Sequence, residues 1–265
     1  MILQVKNLTV GYYRNKQIIP AIKNINLNLN FSEIISIVGE SGSGKTTLAY
    51  SIMNLIMPYE GKILQGEIFF YKDNKQINLL SIDNQNMRKI RGKNISIVFQ
   101  DPFSSLNPIL TVGEQITETV IAHNNIPKNT VKEYVFEILS KVQIKDVERI
   151  YNSYPHQLSG GQRQRVCIAI AIINKPDILI ADEPTTALDT TIQKEILNLL
   201  WDLQNSFNMS IILITHNLYL TLNTHKIYVM YNGEIIESGY IKDILKNPQK
   251  EYTLKLLNSA KRWII

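Results

Sequence analysis

Residues 34–46 read Ile-Ile-Ser-Ile-Val-Gly39-Glu-Ser-Gly-Ser-Gly44-Lys45-Thr46, a short apolar run that ends in a glycine-rich loop. Ile34 to Val38 suits a buried strand feeding that loop. The glycines let successive backbone N–H groups converge on a phosphate without side-chain obstruction. Lys45 then reaches the β- and γ-phosphates of a nucleotide, and the Thr46 hydroxyl goes to Mg²⁺. The loop residues Gly39, Glu40, Ser41, Gly42, Ser43 and Gly44, with Lys45, Thr46 and Thr47, form the expected phosphate cradle. A helix is expected from Lys45 to Met57, stopped by Pro58, with its positive dipole end at the phosphates.

A second glycine-rich motif, Leu158-Ser-Gly-Gly-Gln162, is followed at once by a helical run. It reads as a further γ-phosphate clamp with nothing left to hold on its own chain, so two such chains facing each other across ATP are expected. Ile178 to Glu183 is an apolar strand ending in two acids. Asp182 suits the Mg²⁺ shell, and Glu183 suits aligning and deprotonating an attacking water. An N-cap pair at a strand end is the alternative for these two acids. Gln100 follows the strand 94–99, and His216 closes the strand 211–215. Taken alone, the first reads as a polar loop residue and the second as a structural histidine.

Composition bounds the rest. The chain has 265 residues, 45% hydrophobic and 19% charged, enough for one large domain or a core with a subdomain. Its longest apolar stretch, Val166 to Ile173, falls short of the ~20 residues that span a membrane, and the N-terminus carries no signal-like pattern. Membrane work is therefore expected to need partner chains. The net charge of +5 comes from 28 basic and 23 acidic residues with no long run of one sign, which reads as a solvated surface. Cys167 is the only cysteine and lies in Val-Cys-Ile-Ala-Ile, which reads as a buried structural thiol and excludes intrachain disulfides.

Along the chain, residues 2–10 and 22–30 alternate apolar and polar side chains as half-buried antiparallel strands do. Further strands are expected at 67–71, 94–99, 178–182, 210–214 and 226–231. Between Asp101 and Pro155 the texture is helical, with a Thr130/Glu133 capping box expected to open a helix over 131–142. Ile192, Ile196, Leu199, Leu200 and Leu203 mark one face of a helix starting near Asp189. The order fits an α/β core interrupted by a helical insertion. No internal repeat is present.

As an ordered set, the phosphate loop, Gln100, Leu158–Gln162, Asp182-Glu183, Ala187-Leu188-Asp189 and His216 resemble the nucleotide-binding subunit of ATP-binding-cassette transporters over nearly the whole chain. The resemblance implies a P-loop NTPase (RecA-like) core over 1–100 and 156–265 with an antiparallel β-subdomain, and a helical subdomain at 101–155. It implies that Tyr12, with Tyr13 as its rival, stacks on adenine. It also implies that Ser159, Gly160, Gly161 and Gln162 contact ATP held by the opposite subunit, and that Gln100 meets Mg²⁺ or the attacking water. His216 then contacts the γ-phosphate in cis, and Asp189 links the two sites.

A narrower resemblance rests on Phe99-Gln-Asp-Pro-Phe-Ser-Ser-Leu-Asn-Pro108, Tyr154-Pro-His-Gln157, Ala181–Asp189 and Glu251-Tyr-Thr-Leu-Lys-Leu-Leu257. These are similar to the ATPase subunits of bacterial di- and oligopeptide importers and their nickel relatives. The implied partners are a second cassette, identical or related, two transmembrane permease subunits docking near Gln100–Pro108, and indirectly an extracytoplasmic solute-binding protein. The implied place is peripheral, on the cytoplasmic face of a bacterial membrane, with no nucleic acid partner. The alternatives are a nickel or other small-solute importer, and a non-transport relative acting on DNA or ribosomes. Two departures stand out. Ser32 occupies a position where the family usually has glycine. The cysteine-rich C-terminal segment of many peptide-importer ATPases is missing, so no iron–sulfur site is expected. The tail Arg262-Trp-Ile-Ile reads as a frayed end.

Overall fold

The computed structural model describes residues 1–57, 59–124, 127–186 and 188–261. Its strands are β1 (Leu3–Arg14), β2 (Gln17–Leu29), β3 (Ile34–Val38), β4 (Gly61–Lys72), β5 (Lys75–Asn78), β6 (Ile95–Val98), β7 (Ile178–Asp182), β8 (Ser210–Thr215), β9 (Lys226–Tyr231) and β10 (Glu234–Tyr240). The chain divides into two compact units, one of Met1–Met87 with Ser210–Ile265 and one of Arg88–Met209.

The first unit holds an antiparallel sheet in the order β2-β1-β4-β5. On β1 the inward residues are Leu3, Val5, Leu8 and Val10, opposite Leu29, Leu27, Ile25 and Ile22 of β2. Strict alternation would turn Leu8 outward. The register shifts between Val5 and Leu8, and Asn7 takes a left-handed φ of 48°. Asn24 on β2 does the same at φ 48°. These bulges return Leu8 and Ile25 to the core, and asparagine is a residue that tolerates such a backbone.

In the same unit β3 runs parallel to both β8 and β9, and β10 closes on β9 antiparallel. Every residue of β3 and β8 is buried, as expected for strands covered on both faces. Several of the polar atoms that enter this core are bonded. Ser36 Oγ shares a 3.1 Å hydrogen bond with Thr224 Oγ1. The buried Glu33 carboxylate accepts from Asn30 N–H at 2.7 Å and pairs with Lys226 at 3.1 Å. Ser32, just before it, holds φ 51°. That left-handed turn is why glycine suits the position. The helices Ile241–Lys246 and Glu251–Lys261 complete the unit, with Ile241, Ile244 and Leu257 packed in one cluster with Val38, Ile227 and Val229.

The helix after the phosphate loop spans Lys45–Ile52, shorter than expected. Asn54 at φ 49° donates its N–H to Ser51 O, and Leu55 N–H reaches back to Tyr50 O. This left-handed cap ends the helix, while Pro58 lies outside the described residues. Neither β5 nor β10 is foreshadowed by alternation. β5 is short and polar, and β10 has a register shift between Ile235 and Glu237.

The second unit pairs β6 with β7 in parallel, Ile95 opposite Ile178 and Val98 opposite Ala181. From 101 to 155 its described residues contain helices and no strand, the longest being Val112–His123 and Lys128–Lys141. The expected Thr130/Glu133 capping box is not there. The helix starts earlier, with Pro127 as N-cap, and the Thr130 hydroxyl donates to Pro127 O at 2.8 Å. Both halves of a capping box occur at Thr111 and Glu114, opening Val112–His123. The helix Thr190–Phe207 buries Ile196, Leu199, Leu200 and Leu203 of the expected face, while Ile192 at its start is only half-buried. Arg165, 9% exposed, ties the unit together by donating to Val142 O and Gln143 Oε1 and pairing with Glu195 at 2.9 Å.

The bulge gives a direct stability test. Leu8→Ala is expected to lower the unfolding free energy by about 2–5 kcal/mol in urea titration. Asn7→Gly, at a backbone glycine adopts freely, is expected to change it by less than about 1 kcal/mol.

Candidate nucleotide site

In the first unit the phosphate loop leaves the end of β3 under tight steric control. A Cβ on Gly39 would lie 2.2 Å from Met230 O, so β9 admits only glycine there. Gly44 sits at φ 102°, and a Cβ on it would meet Ile22 at 2.5 Å. Gly233 N–H donates to Ser43 O at 3.1 Å, holding the loop from the β9–β10 turn. The following helix has Gly44 as N-cap and no side chain capping its first turn. Its N-terminal amides and dipole are therefore left for an anion.

Lys45 is 4% exposed, with Nζ donating to Gly39 O at 2.8 Å and Glu40 O at 2.9 Å. Thr46 and Thr47 are half-buried on the same first turn. Glu40, Ser41 and Gly42 are exposed, whereas Ser43 is buried, with no hydrogen-bond partner for its hydroxyl among the described residues. The Tyr12 hydroxyl donates to Thr47 Oγ1 at 3.4 Å, so Tyr12 adjoins the loop. Its rival Tyr13 is 46% exposed. His216 is exposed one residue beyond the buried end of β8. Tyr252, read in the sequence only as part of the stretch 251–257 and given no role at the loop, accepts the Glu40 N–H with its hydroxyl at 2.9 Å.

The second unit gathers the acids. Asp182 is the buried last residue of β7. Glu183 follows at φ 46°, a left-handed backbone that a residue with a Cβ adopts only at a cost of order 1–3 kcal/mol. Its Oε2 accepts from Gln100 Nε2 at 3.2 Å and from Thr186 Oγ1 at 2.8 Å. Gln100 and Glu183 are thus brought together. Thr186, three residues on, is an addition whose only signal is a hydroxyl at turn spacing.

In Leu158–Gln162, Ser159 Oγ accepts the Gln162 N–H at 3.3 Å and Gln162 Oε1 accepts the Ser159 N–H at 3.0 Å. This box opens the helix Gly160–Ile172. A Cβ on Gly161 would press Ile192 at 3.1 Å, but one on Gly160 would make only ordinary contact at 3.4 Å with Leu188. Asp189 Oδ1 caps the next helix through the N–H groups of Thr191 and Ile192. Ala187, in the motif before it, lies outside the described residues, as does the tail 262–265. The Arg163 guanidinium lies 4.0 Å over the Phe103 ring and donates to Pro155 O.

The chain is similar over most of its length to known proteins. The family model described as ABC transporter matches residues 22–186. An oligopeptide transport ATP-binding protein of Bacillus subtilis is 44% identical over 259 residues, 97% of this chain and 78% of the relative. A dipeptide transport ATP-binding protein of the same organism is 44% identical over 262 residues, 98% of this chain and 77% of the relative. Among solved structures, a dimeric ATP-binding cassette in a post-hydrolysis state, bound to ADP and Pi, matches with a TM-score of 0.79 at 34% identity, covering 91% of this chain and 99% of that one. A cassette from Clostridium perfringens, part of a cbiONQ transporter complex, matches at 0.78 and 29% identity, covering 100% of this chain and 99% of that one. The fold is therefore the α/β one of ATP-binding cassettes.

Cys167 lies on the helix that Ser159 opens and takes no part in this chemistry. Burial pushes its thiol up to about 12, so at pH 8 the reactive thiolate is about one part in ten thousand. Thiol titration with an aromatic disulfide at pH 8 is expected to run at least ~100-fold slower on the folded chain than in urea.

Proposed function

The chain belongs to the ABC transporter family, and we propose that it is the ATP-hydrolysing subunit of a bacterial importer of di- and oligopeptides. Support for the cargo comes from the relatives, which are named for oligopeptide and dipeptide transport. The observation that carries the enzymatic reading is Glu183. A strained backbone at a strand end, with the carboxylate held by two donors, is the preorganisation expected of a group that aligns a water for attack.

Each remaining group has a role in this reading. Lys45 swings from the carbonyls of Gly39 and Glu40 to the β- and γ-phosphates, which the loop over residues 39–47 cradles. Tyr12 stacks on adenine. Thr46, Asp182 and Gln100 would hold Mg²⁺. They offer a hydroxyl, a carboxylate and an amide oxygen, a hard-donor set of the kind that metal takes, and Gln100 commits its nitrogen rather than its oxygen to Glu183. When bound, Mg²⁺ neutralises charge on the phosphate oxygens. His216 contacts the γ-phosphate from its own chain.

Ser159, Gly160, Gly161 and Gln162 serve ATP on a second cassette. Gly160 has room for a methyl group within its own chain, so a closely approaching partner accounts for the glycine. Asp189, which already orders its helix, links the two sites. The helical stretch 101–155 is read as the inserted subdomain, with residues 100–108 facing the permease. Phe103 there is 61% exposed on its Arg163 platform. No described helix is long and apolar enough to cross a membrane. The proposed place is the cytoplasmic face of the membrane, against two permease subunits supplied by a solute-binding protein outside.

Glu183→Gln tests the chemistry: ATP binding is expected to persist while turnover falls about 10²–10⁴-fold, and undiminished turnover would remove Glu183 from the role. The partner site is tested by a Ser41→Cys/Ser159→Cys pair, expected to crosslink between chains when MgATP is present. Crosslinks confined to one chain would sink the composite arrangement.

A further inference from the structure

Glu40 is the first residue after the steric pinch at Gly39, and its peptide group is anchored on both sides. Its carbonyl accepts from Lys45 Nζ at 2.9 Å, and the Glu40 N–H donates to the Tyr252 hydroxyl at 2.9 Å. The first of these bonds is temporary if residues 39–47 hold a nucleotide, because the same ammonium is then required at the phosphates. We propose that the Tyr252 hydroxyl is a positioning group for the phosphate loop, keeping the Glu40 peptide oriented when Lys45 turns to its ligand. The proposal rests on the nucleotide-binding reading and names a residue outside the loop that shapes it.

The hydroxyl is itself held in place. The Tyr252 ring lies 4.4 Å from the Tyr231 ring, at the end of β9 and next to the Met230 carbonyl that excludes a side chain at Gly39. It also packs on the cluster of Val38, Leu218, Ile227, Val229, Ile241, Ile244 and Leu257. Tyr252 stands in the first turn of the helix Glu251–Lys261, so the end of the chain braces a loop 212 residues earlier. Burial raises the phenol above its ordinary range, so the group stays protonated and the oxygen serves as a neutral acceptor at physiological pH. A phenylalanine would keep the ring contacts and lose only the bond to Glu40.

Tyr252→Phe in the full chain is the test, read by titration with a fluorescent ATP analogue plus Mg²⁺ and by amide hydrogen exchange. The dissociation constant and the KM for ATP are expected to rise about 3–10-fold, the effect of one lost hydrogen bond, with kcat at saturating ATP retained. Exchange is expected to quicken at residues 39–44 and stay unchanged along 251–261. A variant that binds MgATP like the parent chain, or whose exchange rises along 251–261 as much as at the loop, overturns the proposal. Lys45→Ala separates the two levels. If it too binds normally, the nucleotide-loop reading fails; if it alone loses binding, only the role of Tyr252 fails.

Discussion

Backbone amides can grip a phosphate only where no side chain stands before them and no other acceptor has claimed them. That constraint organises the first unit. It demands glycine at 39, where β9 presses its Met230 carbonyl against the loop, and a left-handed glycine at 44 to start an uncapped helix. A loop so stripped of side chains has little to hold it, and the fold supplies the support from outside. Gly233 grips Ser43, Tyr252 grips Glu40, and Lys45 folds back on the loop's own carbonyls. The buried strands β3 and β8 beneath give these supports a rigid base.

The acids of the second unit face a different demand. A carboxylate that aligns water needs a fixed direction rather than a low-energy backbone. Glu183 is held in a left-handed conformation while Gln100 and Thr186 bond its Oε2. Strain in one residue is sustained because β7 is buried along its whole length and the acid follows directly from it.

What the sequence made legible was local and strongly patterned. β3, β7 and β8 are continuous apolar runs, and the loops that follow them bear the reactive groups. The helix from Thr190 was readable from one apolar face starting near Asp189. The misreadings came from signals of equal local strength. Thr111 and Thr130 both precede a glutamate by three residues, but only Thr111 caps, because the second helix starts at Pro127, ahead of Thr130. Asn54 ends a helix four residues before the proline that was expected to stop it. Asparagine in a left-handed cap leaves no unique mark in the chain. The bond from Glu40 to Tyr252 spans 212 positions and had no local trace at all. Likewise, nothing short of packing could show that Arg163 lies over Phe103.

The reciprocal Ser159–Gln162 cap also bears on how quickly two chains can meet. A loop that ordered only on contact would surrender its conformational freedom at the moment of association, weakening the encounter. Here the serine and the two glycines after it are locked into a helix start by hydrogen bonds inside one chain, so that ordering is complete before any partner arrives. The hydroxyl that accepts from Gln162 still has its proton to give. Under the proposed function the clamp is offered preassembled, and closure on ATP becomes a docking of rigid surfaces rather than a folding event.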